Sequence, residues 1–132
     1  MKYLLDTNIC IYIIKKKPRG IIKTFQKFDP FDIGISSITL SELEYGIQKS
    51  SFPGQNRLAL HQFLAPIEIA DYNAECGFHY GVIRNFLEEL GQVIGPLDML
   101  IASHCLALDC VLVTNNEKEF KRIPELRIEN WS

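Results

Sequence analysis

Four stretches of this chain carry oxygen-bearing side chains where a strand pattern gives way to a helical one. "YLLDTN" puts Asp6 directly after a short apolar run. "SSITLSELEYG" puts Glu42 one or two turns into a helix, and "GPLDMLIASHC" puts Asp98 in the first turn of another. "VLVTNNEKEF" follows an apolar strand with Thr114, Asn115, Asn116 and Glu119. Open α/β sheets bind ligands in the crevice outside the carboxyl ends of their strands. Carboxylates gathered there lift one another's pKa unless a cation lies among them. An all-oxygen donor set suits Mg²⁺ or Mn²⁺, which take one or two carboxylates and retain waters. Such a site activates water and stabilises charge on a phosphoryl group.

A plainer account exists for each acid alone. Asp6 has the type and position of an N-cap. Early-helix acids also complement the helix dipole, at about 0.3–1 kcal/mol each. That account fits Asp98 less well, because "PLDMLIA" is so apolar that the carboxylate must border the core. Glu44, beside Glu42's turn, reads as simply solvated. Strand order is not fixed by sequence, so the meeting of these acids is an expectation.

The elements that would position them follow from periodicity. Lys2–Leu5, Asp32–Ser36, Ile67–Ile69, Val111–Val113 and Leu126–Ile128 read as strands. Helical patterns run over Thr7–Lys16, Gly20–Lys27, the stripe Ile38, Leu40, Leu43 and Ile47, then Gln55–Leu64, Asp71–Leu90 and Pro96–Leu108. Pro53-Gly54 reads as a turn, Gly91 as a helix C-cap and Pro96 as a permitted first-turn proline. Strands alternating with helices predict an α/β fold with a parallel sheet of four or five strands and helices on both faces.

Composition narrows the classes. With 132 residues and no repeat or linker, residues 1–132 are expected to form a single domain. Hydrophobic residues at 47% and charged ones at 23% are ordinary for a soluble protein, which sets aside disordered and fibrous classes. No apolar run approaches a membrane span, and the N-terminal run breaks too early for a signal peptide, so a cytoplasmic location is expected. Cys10, Cys76, Cys105 and Cys110 lack metal spacing and read as reduced, buried thiols. His61, His79 and His104 are scattered, and none is assigned as a ligand. A net charge of −2 does not mark the whole chain as a nucleic-acid binder. Local basic runs remain: Lys15, Lys16, Lys17 and Arg19 after the first helix, and Lys118, Lys121 and Arg122 after the last motif.

Taken in order, "YLLDTNICIYIIKKKP", "ISSITLSELEYGI" and "GPLDMLIASHCLALDCVLVTNNEKEFKRIPELRIENW" resemble the PIN-domain ribonucleases, most closely the VapC toxins of bacterial toxin–antitoxin pairs. The resemblance spans nearly the whole chain. It implies a PIN-like three-layer α/β/α sandwich with a helical hairpin, and a metal-dependent endoribonuclease using Mg²⁺, with Mn²⁺ as the alternative. Asp6, Glu42 and Asp98 fall on the family's three acidic positions. Many relatives carry a fourth acid where this chain has Asn116, and Glu119, three residues on, is expected to supply the missing charge. Thr7, Asn8, Ser37, Thr114 and Asn115 are expected to orient the carboxylates by hydrogen bonds.

In the implied mechanism Asp6 and Asp98 hold the ion directly, Glu42 binds it or orients the water, and Asn116 or Glu119 completes the site. The basic run Lys15–Lys17 with Arg19 is the expected contact to the RNA backbone. The resemblance further implies a tRNA substrate cut in the anticodon region, inhibition of translation, a homodimer, and a VapB-like antitoxin whose tail fills the active-site groove. Aromatics at Tyr45, Phe52, Phe63, Tyr72, Phe78, Tyr80 and Phe86 are compatible with such interfaces. Receiver domains and aspartyl phosphatases fit less well: no lysine follows "VLV" directly, and Asn8 stands where a phosphatase needs a second Asp. The remaining alternative is a silent PIN-fold module that only binds the antitoxin, separable by comparing growth on expression of wild type and Asp98→Ala.

Overall fold

Five short segments pair in parallel to form the sheet: β1 (Tyr3–Leu5), β2 (Ile33–Ser36), β3 (Glu68–Ala70), β4 (Val111–Val113) and β5 (Ile128–Glu129). They come from a computed structural model that describes all residues from Met1 to Ser132. The spatial order is β3-β2-β1-β4-β5, so β1 is central. The three inner strands are apolar apart from Tyr3, Gly34 and Ser36, as expected of strands covered on both faces. Each edge strand carries one glutamate, Glu68 and Glu129.

Successive strand side chains point to opposite faces, and the two halves of the core follow from this. Leu5, Ile33, Ile35 and Val113 pack beneath α1 (Thr7–Lys15), α2 (Arg19–Phe25), α3 (Ser37–Gln48) and α4 (Pro53–Leu64). Leu4 and Leu112 pack beneath α5 (Ala74–Glu89), α6 (Pro96–Leu108) and the single turn α7 (Glu117–Phe120). The expected three-layer α/β/α sandwich is what forms, with five strands. Each of these fully buried leucines and isoleucines is worth about 1.5–3 kcal/mol of burial. The α3–α4 hairpin is clasped by Glu44, whose two oxygens accept from Arg57 Nη1 at 3.1 and 2.9 Å; Glu44 is therefore paired, not simply solvated.

Several boundaries depart from the sequence reading. Pro53 and Gly54 open α4 instead of forming a separate turn, because proline at the first helical position loses no needed donor. The helix expected from Asp71 begins at Ala74, where Asn73 Oδ1 accepts from Cys76 N at 3.2 Å and caps it. Asp71 and Tyr72 stay in the connection. Lys16 leaves α1 with a left-handed φ of 59°, and Gly91 at φ 65° follows α5 as expected. The second helix, β3 and β5 are each displaced by one or two residues, the usual uncertainty at element ends. No helix is long and apolar enough to cross a membrane.

Candidate active site

Asp6 is both a cap and a buried acid. Its Oδ1 accepts from Ile9 N at 2.9 Å, fixing the start of α1, while the residue as a whole is only 5% exposed. Burial raises its carboxyl above the ordinary aspartate value, partly offset by the Thr114 hydroxyl and the Ile9 N–H; the Glu42 charge raises it further. The strand-to-helix junction thus does two jobs with one side chain.

Glu42 arrives from the second turn of α3. That helix starts where it does because Ser36 Oγ accepts from Ile38 N at 3.0 Å. Glu42 Oε1 in turn accepts from Thr7 Oγ1 at 2.7 Å, a link between α3 and the first residue of α1. Asp98 lies in the first turn of α6, half-buried as "PLDMLIA" foretold. Its carboxyl is pushed up to about 6, first by burial and then by the charges of Asp6, Glu119 and Glu42. Four acids from four separate segments therefore share one electrostatic neighbourhood, at the carboxyl ends of β1, β2 and β4. Asn116 and Glu119, rivals for one role in the sequence, are bonded partners here: Asn116 Nδ2 donates to Glu119 Oε2 at 3.0 Å.

The supporting residues divide. Thr7 holds Glu42 directly. Thr114 is fully buried beside Asp6, and its Oγ1 also accepts from Asn116 N at 2.9 Å, shaping the loop that carries Asn116 and Glu119. Three expected contacts are different in the structure. Asn115 Nδ2 donates to Tyr12 OH at 2.8 Å, so it braces α1 and touches no acid; its Oδ1 is buried without a partner. Ser37 Oγ accepts from Tyr72 N at 3.1 Å, because its position at the start of α3 faces the β3–α5 connection. Asn8 is exposed beside Thr7 and Glu42 and bonds to no carboxylate.

The donor set is oxygen-only and crowded with negative charge, which fits a hard divalent cation and no softer metal. No three carboxylate, imidazole or thiol groups meet as a ready-made chelate.

Around the acids the surface is mixed. A groove of about 300 Å³ between α1, α3 and α4 is lined by Ile11, Ile14, Leu43 and Ile47, with Lys15 and Glu42 on its walls. Lys16, Lys17 and Arg19 are exposed beyond the end of α1. Lys118 and Lys121 are exposed as well, whereas Arg122 is drawn to the carbonyls of Gln92 and Val93. The sequence reading gave no part to Ser36, His104 or Tyr12, all bonded close to the acids' helices. Their partners lie 68 and 103 residues away, beyond any local pattern.

This sheet order and this acidic edge define a class. Residues 3–126 match the PIN domain. The chain is 50% identical over 132 residues to Ribonuclease VapC2 of Rickettsia felis, covering 99% of this chain and 98% of that protein. It is 42% identical to the tRNA(fMet)-specific endonuclease VapC of Shigella flexneri, covering 100% and 99%. The structure of DNA-bound VapBC from Salmonella typhimurium superposes with a TM-score of 0.94 at 43% identity, covering 100% of this chain and 99% of that one. The chain belongs to the PIN-domain family, as a VapC-type ribonuclease toxin.

Proposed function

We propose that the protein is an endoribonuclease toxin that hydrolyses tRNA in the anticodon region with Mg²⁺ or Mn²⁺, arresting translation until an antitoxin binds it. The observation that carries this reading is the gathering of Asp6, Glu42, Asp98 and Glu119 from four segments into one neighbourhood, where burial first and then the other three charges raise Asp98, a concentration of charge that a divalent cation relieves. The substrate assignment rests on relatives named as tRNA(fMet)-specific endonucleases, which makes the initiator tRNA the first one to test.

Asp6 and Asp98 would hold the ion, and its chemistry is to acidify a water and offset charge on the phosphate. Glu42, steadied by Thr7, would bind the ion or orient the attacking water. Glu119, steadied by Asn116, completes the negative ring. Burial of Asp6 and Thr114 keeps bulk water from the inner wall of the site. Lys15, Lys16, Lys17 and Arg19 are the candidates to hold the RNA backbone, since the acids repel it.

Two surfaces suit the protein partners. The apolar groove beside Glu42 suits an antitoxin segment whose apolar side chains fill it. Phe78 and Val82 stand one turn apart on α5, 68% and 55% exposed, an apolar strip suited to a second copy of the chain. Phe63, by contrast, lies in the core.

The test is cleavage of purified tRNA(fMet) by wild type and Asp6→Asn, in Mg²⁺ and in EDTA, with 5′ ends mapped. Cleavage at one anticodon-region bond, lost in EDTA and in the variant, is the expected result. Equal cleavage by the variant or in EDTA overturns the metal scheme, and intact tRNA under all conditions overturns the substrate.

A further inference from the structure

His104 has no part in the acidic cluster, yet it is 1% exposed and polar. It lies on α6, the helix that carries Asp98. Its Nδ1 is 2.8 Å from Ser36 Oγ, the atom that caps α3, the helix that carries Glu42. Ser36 is itself 0% exposed and ends β2, the strand beside β1. The imidazole therefore spans two elements that must keep their spacing for Glu42 and Asp98 to face one another.

The neighbours of this bond favour donation from the hydroxyl. Ser36 Oγ already accepts from Ile38 N at 3.0 Å. A hydroxyl has a single hydrogen to give, and the nearest acceptor for it is His104 Nδ1. Donation in that direction makes His104 the neutral tautomer with its proton on Nε2, whereas the reverse direction would use the second lone pair of Ser36 Oγ and leave the hydroxyl hydrogen without this acceptor. Protonation would turn Nδ1 into a donor aimed at that hydroxyl and force the Ser36 hydrogen elsewhere. The surroundings hold the neutral form: burial pushes the imidazole below the ordinary histidine value, against a smaller opposing pull from Asp71. Tyr72 closes the pocket, its ring edge-on to the imidazole at 5.7 Å, its OH 3.4 Å from Ser103 Oγ and its N–H donated to Ser37 Oγ. Thus Ser36 and Ser37, the first turn of α3, are both tied to groups outside their helix.

We infer that His104 is a positioning residue for the ribonuclease reaction: as a neutral acceptor of the Ser36 hydroxyl, it fixes the α3 cap against α6 and so sets Glu42 opposite Asp98. The inference rests on the proposed ribonuclease reading, and its primary test does not.

In the intact wild-type protein, 15N NMR of the imidazole is expected to show Nε2 protonated, Nδ1 unprotonated and hydrogen-bonded, and any change of charge to fall below the ordinary histidine value of about 6.5. A proton on Nδ1, or titration at the ordinary value, overturns the proposal. The second arm uses two substitutions. His104→Leu fills the space without an acceptor; His104→Asn sets an amide oxygen near the place of Nδ1. For tRNA cleavage, His104→Leu is expected to lower kcat at least tenfold with KM within twofold, and His104→Asn to recover at least a third of wild-type kcat. Equal kcat for the two variants, whether both normal or both impaired, overturns the positioning role. If wild type itself leaves tRNA intact, the ribonuclease reading fails, and the imidazole spectrum alone decides the role of His104.

Discussion

Thr7 Oγ1 donates to Glu42 Oε1 at 2.7 Å, so the residue that follows one acid holds another. Asp6 caps α1 and Thr7 begins it, which means that a single dipeptide fixes Asp6 in place and restrains Glu42 across 35 residues of chain.

Removing that hydroxyl while keeping the shape tests the link. A hydrogen bond to a charged group is worth about 1.5–3 kcal/mol, so Thr7→Val is expected to lower kcat by roughly tenfold to a hundredfold. Thr7→Ser, which keeps the donor, should stay within a few-fold of wild type. Single-turnover cleavage separates the two, and equal rates for both variants would contradict the assignment.

The elevated Asp98 predicts how the metal-free protein responds to pH. Unfolded, this carboxyl ionises near 3.9, roughly its peptide value; folded, it does so at about 6. Between those values the folded state binds the extra proton, so stability without metal should rise as pH falls from 7 toward 5. Asp6, also raised, acts in the same direction. Asp98→Asn should therefore raise the metal-free Tm at pH 7.5 and flatten its pH dependence. Mg²⁺ should raise the wild-type Tm more at pH 7.5 than at pH 5. Thermal melts across this range check both, and an unchanged slope in the variant counts against a crowded site.

Two glycines predict opposite signs for the same substitution. A Cβ on Gly34 would meet the Met1 side chain and come within 2.9 Å of the Glu68 carbonyl, a backbone atom held by β3. Overpacking of this kind costs about 1–3 kcal/mol, so Gly34→Ala should lower stability in urea melts by that amount. Gly46, within α3, has nothing within 4 Å of such a Cβ. There alanine should stabilise by about 0.5–1 kcal/mol through helix propensity.

Tyr12→Phe removes the acceptor for Asn115 Nδ2. With Asn115 Oδ1 already unpaired, the amide would lose the one side-chain bond it makes, at about 1–3 kcal/mol. Equilibrium urea unfolding measures the loss directly.

How far the sequence could be read depended on how local each determinant was. Asp6 was legible because the strand, the cap and the helix lie within ten residues of one another. Asp98 was legible because an acid among "PLDMLIA" has few bland explanations. Alternating strands and helices predicted the parallel sheet, since right-handed crossovers leave few other layouts. Pro53-Gly54 was misread because the same dipeptide serves a turn and a helix start, and only packing of α4 on α3 decides. Asn115 and Ser37 were given the wrong partners for a related reason. A polar side chain at a strand end bonds to whatever the fold brings near, and Tyr12 and Tyr72 come near only in three dimensions. His104 gave no signal at all, sitting inside a near-continuous apolar run that has no polar face to set it apart.

The acids come from positions 6, 42, 98 and 119, and β1 carries the first of them at the centre of the sheet. Synthesis runs from the N-terminus, so the acids are added one at a time, Glu119 last. β1 also lacks its neighbour β4 until residues 111–113 have been made. The first strand and its acid thus wait for the C-terminal segments, and the acidic edge is whole only when β4 and the loop after it have docked on β1.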